Sequence, residues 1–370
     1  MRHTAGRPTY DDKAPGYRVL DAEGLNGGPP PEQAGLEAVT PVSRFFTRNH
    51  APIPAVDPAS WRLRVRGLVR EPLALSLADL GRRFDRHRVP ATLVCAGLRR
   101  EELARVRPIP GELVWGLEPA GTAVWGGVAL RDVLLAAGVL DAAAHVGLTG
   151  LDAVERHERR FGFGGSIPMA KAMAPEVLLA DEMNGAPLTP LHGAPLRLVV
   201  PGYIGARSVK WLGEIELRAG PSENYFQTEA YRVQHTVNPA DPRDVRTGRA
   251  LGEQALNTVV LTPTEGATVP AGPVTIAGWA IGGGRHPLDR VEVSADGGTR
   301  WTVAELDPPV GAWTWQRWRT TVVLGAGPAE VLARAWDGAG TGQPERIEEV
   351  WNVKGYANNA WHRVSVRVAP

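Results

Sequence analysis

The sequence T-L-V-C-A-G-L-R-R-E-E-L, from Thr92 to Leu103, contains Cys95, the one cysteine among the 370 residues. A short apolar run leads to this thiol, and Arg99 and Arg100 follow it. A thiol at the end of an apolar strand, next to fixed positive charge, suits a soft metal ligand beside an anion site. A lone cysteine is more often a small buried hydrophobic residue, so this segment alone favours a core position for Cys95.

Composition narrows the class of protein. The chain is 43% hydrophobic, which is sufficient for two domains with well-packed cores. Its 41 basic and 40 acidic residues leave a formal net charge of +1, so we expect no nucleic acid and no membrane among its partners. One cysteine excludes an intrachain disulfide framework and any cysteine-rich zinc or iron–sulfur site.

The N-terminal region gives two expectations. It contains neither an apolar leader segment nor a twin arginine followed by an apolar stretch, which predicts a cytoplasmic protein as the sequence stands, or a periplasmic one if a leader has been removed. Residues 1–40 are polar and rich in proline and glycine, with Gly27–Pro31 as the strongest break. We therefore predict an extended, poorly structured N-terminal arm.

Residues 41–245 combine strand and helix signals. Trp61–Gly67 alternates apolar and basic residues, as a half-buried strand does, and Ser76 is suited to cap the helix that follows. Arg131–Gly138 is typical of a helix that ends at its glycine. Because strands and short helices do not repeat as strand–helix units, the pattern predicts an α+β domain with mixed α/β structure.

Residues 246–370 have a different pattern, without helical periodicity. Eight of the twelve tryptophans lie between Trp279 and Trp361, among short alternating strands separated by turns such as Asp296–Gly298. This predicts a β-sandwich of immunoglobulin type. We expect the boundary between the two domains in the polar stretch from about Thr236 to Asn257.

Several familiar catalytic motifs are absent from the sequence. It contains no H-E-x-x-H and no G-x-x-x-x-G-K-[ST], and the run Gly162–Ser166 fits neither G-x-G-x-x-G nor G-x-S-x-G. These absences argue against a zinc hydrolase, a nucleotide-binding enzyme and a serine hydrolase.

Five separated segments share residue types that suit an oxyanion or a phosphate, namely arginine, lysine, histidine and tyrosine beside glycine-rich turns. They are Phe45–Pro54, the Cys95 segment with Trp115, His192–Trp211, Asn224–Arg232 and Trp351–Arg363. In this order and spacing the combination resembles the sulfite oxidase family of molybdenum enzymes, from Ser43 to the end of the chain. The resemblance implies a domain that holds one molybdenum–molybdopterin cofactor, followed by an immunoglobulin-like domain through which the proteins form homodimers.

The resemblance also implies roles for individual residues. Cys95 matches the thiolate that is the only protein ligand to molybdenum, and a soft, anionic donor suits that metal. Three arginines match an oxyanion pocket, where several guanidinium groups offset the desolvation of a dianion, and two aromatic residues match its wall; these catalytic candidates are Arg48, Arg100, Arg363, Trp115 and Tyr231. The residues that match positions holding the pterin and its phosphate are Phe46, Arg48, His50, Cys95, His192, Arg197, Arg207, Ser208 and Lys210.

Taken singly, these residues also fit structural roles. His50 and His192 fit buried core positions, and Arg99 and Arg207 fit structural ion pairs. The sequence departs from the family pattern at Leu98, where many relatives carry asparagine. It departs again just before Tyr231, where Ala230 replaces a residue that is often acidic.

The resemblance implies oxidation of sulfite to sulfate by oxygen-atom transfer. Two electrons would then pass to an external acceptor one at a time. The sequence has no C-x-x-C-H haem motif and no flavin or NAD motif, so we expect a separate electron acceptor such as a c-type cytochrome. Alternatives on the same scaffold are nitrate reduction and sulfoxide reduction. Arg363 favours sulfite, because related nitrate enzymes tend to lose an arginine in the pocket. An alternative of another class is a non-enzymatic anion-binding or adhesion protein.

Overall fold

The computed structural model describes residues 9–234 and 248–370. The N-terminal arm is more ordered than its composition predicts. It forms a two-stranded sheet and one 3₁₀ turn, and a backbone bridge joins it to the central domain: Gly27 N donates to Thr47 O at 3.1 Å, and Thr47 N donates to Gly27 O at 2.8 Å. The expectation of a poorly structured arm is therefore wrong for its described part. Its elements are β1 (Arg18–Asp21), β2 (Asn26–Gly28) and the turn Pro31–Gln33.

The central domain is a mixed α/β structure with two five-stranded sheets. One has the order β10-β7-β14-β3-β4, and the other has the order β12-β11-β6-β5 with β13 paired to β11. The strands are β3 (Leu63–Gly67), β4 (Leu73–Leu75), β5 (Arg86–Val94), β6 (Ala120–Ala129), β7 (His145–Gly150), β8 (Val154–Arg156), β9 (Arg159–Phe161), β10 (Gly164–Pro168), β11 (Leu178–Met183), β12 (Ala186–Pro187), β13 (Arg197–Val199), β14 (Leu212–Arg218) and β15 (Arg232–Val233).

The helices of the central domain are short, and local sequence explains where they begin and end. Ser76 caps α1 by accepting from Asp79 N at 3.0 Å, while the Asp79 carboxylate accepts from Ser76 N at 3.0 Å. Helix α3 ends at Gly138, whose φ of 68° is left-handed and therefore suits glycine. The helices are α1 (Leu77–Arg83), α2 (Arg100–Val106), α3 (Leu130–Ala137), α4 (Met169–Ala172) and α5 (Tyr225–Thr228).

The C-terminal domain is the predicted β-sandwich. Sheet β17-β19-β23-β22 packs against sheet β18-β25-β24-β20-β21 around a core that includes Ile276, Val291, Trp318 and Val331. Its elements are β16 (Arg249–Ala250), β17 (Asn257–Thr262), β18 (Thr268–Pro270), β19 (Gly272–Ile281), β20 (Leu288–Ser294), β21 (Thr302–Val303), β22 (Glu305–Leu306), β23 (Gln316–Leu324), β24 (Gly327–Asp337), α6 (Ile347–Val350) and β25 (His362–Ala369). Most of the stretch chosen as the domain boundary lies outside the described residues.

The sandwich covers strand β5, which leads to Cys95. Thr92 N donates to Trp313 O at 2.9 Å, and Trp315 N donates to Thr92 Oγ1 at 2.8 Å. Leu98 packs in the same apolar interface as Trp315, so the residue that departs from the family pattern has a packing role here. In the two described parts of the chain, no helix has the length and apolar character needed to cross a membrane.

Candidate active site

Cys95 lies at the end of β5, in the wall of a cavity with about 670 Å³ of empty space that includes its open mouth. The thiol is 8% exposed, and its sulfur accepts from Gly97 N at 3.4 Å. A parallel bridge between Val94 and Ile204 brings the turn after β13 next to the cysteine. The cavity wall contains nine of the predicted site residues, which are Phe46, Arg48, His50, Cys95, His192, Arg197, Ser208, Lys210 and Tyr231.

Two cations of this wall, the buried Arg197 and the partly buried Lys210, form no ion pair with a carboxylate of the described residues. Arg197 donates to His192 O at 3.0 Å and to Ser208 O at 3.1 Å, and burial lowers its pKa to about 9. Lys210 donates to Leu191 O at 3.0 Å and to the amide oxygen of Asn49. Burial, followed by the nearby charge of Arg197, places the pKa of Lys210 well below its ordinary value.

A lysine of the N-terminal arm contacts His192. The Nζ atom of Lys13 lies 3.0 Å from His192 Nε2 and donates to the carbonyl oxygens of Val42 and Phe45, each at 2.9 Å. Burial lowers the pKa of Lys13 to about 7. Burial, and then the charge of Lys13, keeps the pKa of His192 well below its ordinary value. Sequence analysis did not identify Lys13, because no local pattern distinguishes it from a surface lysine.

His50 and Tyr231 form a second polar pair in the wall. The Tyr231 hydroxyl lies 2.8 Å from His50 Nε2, and burial raises the pKa of Tyr231 above its ordinary value. Burial, and then the charge of Arg48, lowers the pKa of His50 well below its ordinary value. The pair is therefore neutral near pH 7, and its shared hydrogen bond can hold or move one proton at the edge of the cavity.

Arg100 is buried next to the cysteine turn rather than in the cavity wall. Its guanidinium contacts Gly97 so closely that a Cβ atom there would lie 2.9 Å from the Arg100 Cζ. It donates to Lys354 O at 3.0 Å and to Leu113 O at 2.7 Å. Trp115 is fully buried, and within the described residues its Nε1 atom has no hydrogen-bond partner.

Two predicted residues have other surroundings. Arg363 lies on the outer face of β25, where it pairs with Glu330 at 3.0 Å, and both side chains are more than 40% exposed. The expectation that Arg363 completes the oxyanion pocket is corrected by this position. Arg207 is buried outside the wall, and its guanidinium donates to the carbonyl oxygens of Leu251 and Phe226. A phosphate-binding role for its side chain is therefore not supported, since it lies outside the wall and each of its three nitrogens already donates to a backbone carbonyl.

Arg99 forms a structural ion pair, which was one of the alternatives for it. It pairs with Glu102 at 2.7 Å and donates to Asn257 and to Ala360 O across the domain interface. Both adjacent arginines thus donate to the C-terminal domain, and Arg100 in addition faces the cysteine turn.

The residues of the cavity fit a molybdenum–molybdopterin cofactor. Among the described residues of the wall, Asp152 is the one acidic side chain, whereas Arg48, Arg197 and Lys210 supply positive charge. Buried cations without matching carboxylates are costly unless an anion joins them, and a pterin phosphate is such an anion. Cys95 offers one soft anionic donor to the same space. The residues that would hold the cofactor are therefore the thiol and the cationic wall.

Comparisons with known proteins identify both domains of the chain. A model of the oxidoreductase molybdopterin-binding domain matches residues 50–226, and a model of the molybdenum-cofactor oxidoreductase dimerisation domain matches residues 249–369. These two matches define the class: an oxidoreductase that binds molybdopterin and carries a dimerisation domain.

Individual relatives narrow the class further. Sulfite oxidase of Gallus gallus is 44% identical over 94% of this chain and 77% of its own length. Sulfite oxidase of Arabidopsis thaliana is 36% identical over 96% and 94%. The sulfane dehydrogenase SoxCD of Paracoccus pantotrophus superposes with a TM-score of 0.79 at 26% identity, covering 99% of this chain and 91% of that one. The chain belongs to the sulfite oxidase family.

Proposed function

We propose that this protein oxidises sulfite to sulfate at a molybdenum–molybdopterin centre whose metal is held by the Cys95 thiolate. The observation that carries the proposal is the chain's single thiol, placed in the wall of a cavity whose cations Arg197 and Lys210 have no ion pair among the described residues. The relatives named sulfite oxidase, at 36–44% identity over most of the chain, support the choice of substrate.

The bound cofactor would supply oxygen-atom transfer and accept two electrons. The chain's own residues would then bind and orient the reactants. Arg48 in the wall would hold the sulfite dianion, since guanidinium groups pair well with such oxyanions, and Arg100 would add positive charge from beside the cysteine turn. Tyr231 would donate to an oxygen of the bound substrate and exchange its proton with His50. Trp115 is fully buried and does not line the cavity, so it would support the site by packing and not by contact with a ligand.

The remaining wall residues would bind the pterin and its phosphate. Lys210 and Arg197 provide charge, and His192 and Phe46 provide polar and aromatic surface. Ser208 also holds β13 in place, because its hydroxyl accepts from Val200 N at 3.0 Å. We include His50 in this group, as the family pattern implies, in addition to its contact with Tyr231.

Nitrate reduction is the second candidate. Nitrate reductase [NAD(P)H] of Hordeum vulgare is 36% identical over 95% of this chain and 42% of its own length. Arg363 was expected to favour sulfite, but its place on the surface removes that argument. The choice of sulfite therefore rests on the relatives and on assay.

The proposal also includes a separate electron acceptor and a homodimer. Sulfite oxidation releases two electrons, and with one cysteine the sequence contains no C-x-x-C-H haem attachment motif. We therefore propose a separate c-type cytochrome as the acceptor. The match to a dimerisation domain supports a homodimer, and we place the domain boundary between residues 245 and 246.

Metal analysis and a paired assay test the function. We expect about one molybdenum atom per chain and sulfite-dependent reduction of ferricyanide or cytochrome c by the same preparation. Nitrate-dependent oxidation of a reduced dye should be much slower. A protein without molybdenum would favour a non-enzymatic anion-binding role, and faster turnover of nitrate than of sulfite would favour the second candidate.

A further inference from the structure

One loop of the C-terminal domain enters the central domain beside the cysteine turn. Ala357 N donates to Ala96 O at 2.7 Å, directly after Cys95 in the chain. Arg100 donates to Gly355 O at 3.2 Å. The loop between α6 and β25 is thus attached to the cysteine turn at Ala96 and at Arg100.

Asn352 fixes the shape of this loop. Its side chain donates to Tyr356 O at 2.8 Å and accepts from Tyr356 N at 3.0 Å. Ala357 has a φ of 54°, a left-handed conformation that is unfavourable for a residue with a Cβ atom. The surrounding contacts therefore impose a defined backbone path, which directs the side chain of Tyr356.

The ring of Tyr356 lies against Tyr231. The two ring centroids are 5.2 Å apart with an interplanar angle of 18°, and the Arg100 guanidinium lies 5.1 Å from the Tyr356 centroid. Tyr356 is 5% exposed and does not line the cavity, whereas Tyr231 does. Tyr231 also has a left-handed φ of 52°, so its position depends on its contacts.

We propose that Tyr356 is a positioning residue for sulfite oxidation: its ring, supplied by the C-terminal domain, holds Tyr231 in the cavity wall and Arg100 beside the cysteine turn. The proposal rests on the proposed function. Stacking needs only the ring, so the hydroxyl of Tyr356 has no required part. The charged and titratable groups around the tyrosine pair include Arg48, His50, Cys95, Arg100, Glu112 and Arg207. Burial raises the pKa of Tyr356 well above its ordinary value, which keeps the ring neutral during turnover.

Two substitutions separate the ring from the hydroxyl. Tyr356→Phe keeps the stacked ring, and we expect its kcat to fall by no more than about twofold. Tyr356→Leu removes the ring, and we expect an approximately tenfold lower kcat, a shifted pH profile of kcat and an unchanged molybdenum content. The pH profile should shift because Tyr231 would no longer be held against His50.

Trp351→Leu is the matched control. Trp351 is in the same loop and stacks with Arg107 at 4.6 Å, so it makes the same kind of contact between the domains without touching Tyr231. We expect this variant to lose thermal stability and to keep the wild-type kcat and pH profile.

Crystal structures of the two Tyr356 variants give a readout that does not depend on turnover. We expect the contact between the Tyr231 hydroxyl and His50 to persist in Tyr356→Phe and to break in Tyr356→Leu. Equal damage by both substitutions would overturn the proposal in favour of a role for the hydroxyl. A Tyr356→Leu variant with lower stability but wild-type kcat, pH profile and Tyr231 position would also overturn it. A wild-type holoenzyme that does not oxidise sulfite would refute the proposed function, while the crystallographic comparison would still test Tyr356.

Discussion

The two ends of the chain both support the cavity, but they use different interactions. The N-terminal arm brings Lys13, a buried amine, to His192 through polar contacts. The C-terminal loop brings Tyr356, an aromatic ring, to Tyr231 through stacking. A buried amine must lose its hydration and its interaction depends on pH, whereas the contact of a neutral ring does not. Residues of this cavity are therefore contacted from outside the central domain by one titratable and one non-titratable group.

The largest effect on activity is expected at Cys95, in the wall of the cavity that both ends of the chain contact. Cys95→Ser should abolish sulfite-dependent reduction of ferricyanide while the protein stays folded, because a serine hydroxyl is a poor substitute for a soft thiolate ligand. Steady-state assay and circular dichroism measure the two parts of this prediction. Full activity in the folded variant would remove Cys95 from the metal site.

Lys13→Met tests the polar contact of the N-terminal arm. The pKa of Lys13 is about 7 in the folded protein, below its ordinary value of 10.5. Between these pH values the unfolded chain binds more protons than the folded chain, so rising pH stabilises the wild-type fold. Relative to Lys13→Met, the wild-type free energy of unfolding should rise from pH 7 to pH 9, by at most about 1.4 kcal/mol per pH unit.

Urea unfolding of both proteins at pH 7, 8 and 9 measures this difference. A difference that is constant over the range would mean that Lys13 does not titrate there. A fall with pH would mean that the folded protein favours the charged amine.

A smaller effect, on the KM for sulfite, is expected from Lys354 in the loop between α6 and β25. Lys354 Nζ lies 3.1 Å from Glu112, and the same carboxylate lies 3.7 Å from Arg100. Lys354→Met would leave Glu112 to neutralise Arg100 more fully, which weakens anion binding. We expect the KM for sulfite to rise about two- to fivefold, in line with a partly exposed ion pair worth about 0.5–1 kcal/mol. Initial-rate kinetics with varied sulfite measure it, and an unchanged KM would separate this charge from the substrate.

The smallest effect is expected at Arg363. Its ion pair with Glu330 is on the surface, and such pairs contribute little. Arg363→Met should keep both kcat and the KM for sulfite within about twofold of wild type, since exposed pairs are worth about 0–1 kcal/mol. A large rise in KM would show that Arg363 reaches the cavity after all, and Lys354→Met provides the comparison within the same loop region.

Residues that are close in sequence have different surroundings in the structure, and this limits what the sequence could predict about the site. Strand β25 alternates buried and exposed positions, so His362 points inward and Arg363 points to solvent. The sequence motif that contains both residues does not show which of the two faces inward. Similarly, Arg197 faces the cavity while Arg207, ten positions later, gives its donors to Leu251 O and Phe226 O. Residue type and order predicted which segments meet, but not which side chain in each segment faces the cavity.

The sequence alone determined the two-domain α+β and β-sandwich architecture and the family, and it predicted Cys95 as the metal ligand. These follow from periodicity, turn chemistry and the order of motifs, all of which are local or linear properties. The tertiary structure alone decided that Lys13 reaches His192, that Tyr356 stacks on Tyr231, and that Arg363 stays outside. Each of these depends on contacts between residues far apart in the chain, where packing and strand parity, rather than local preference, select the partner.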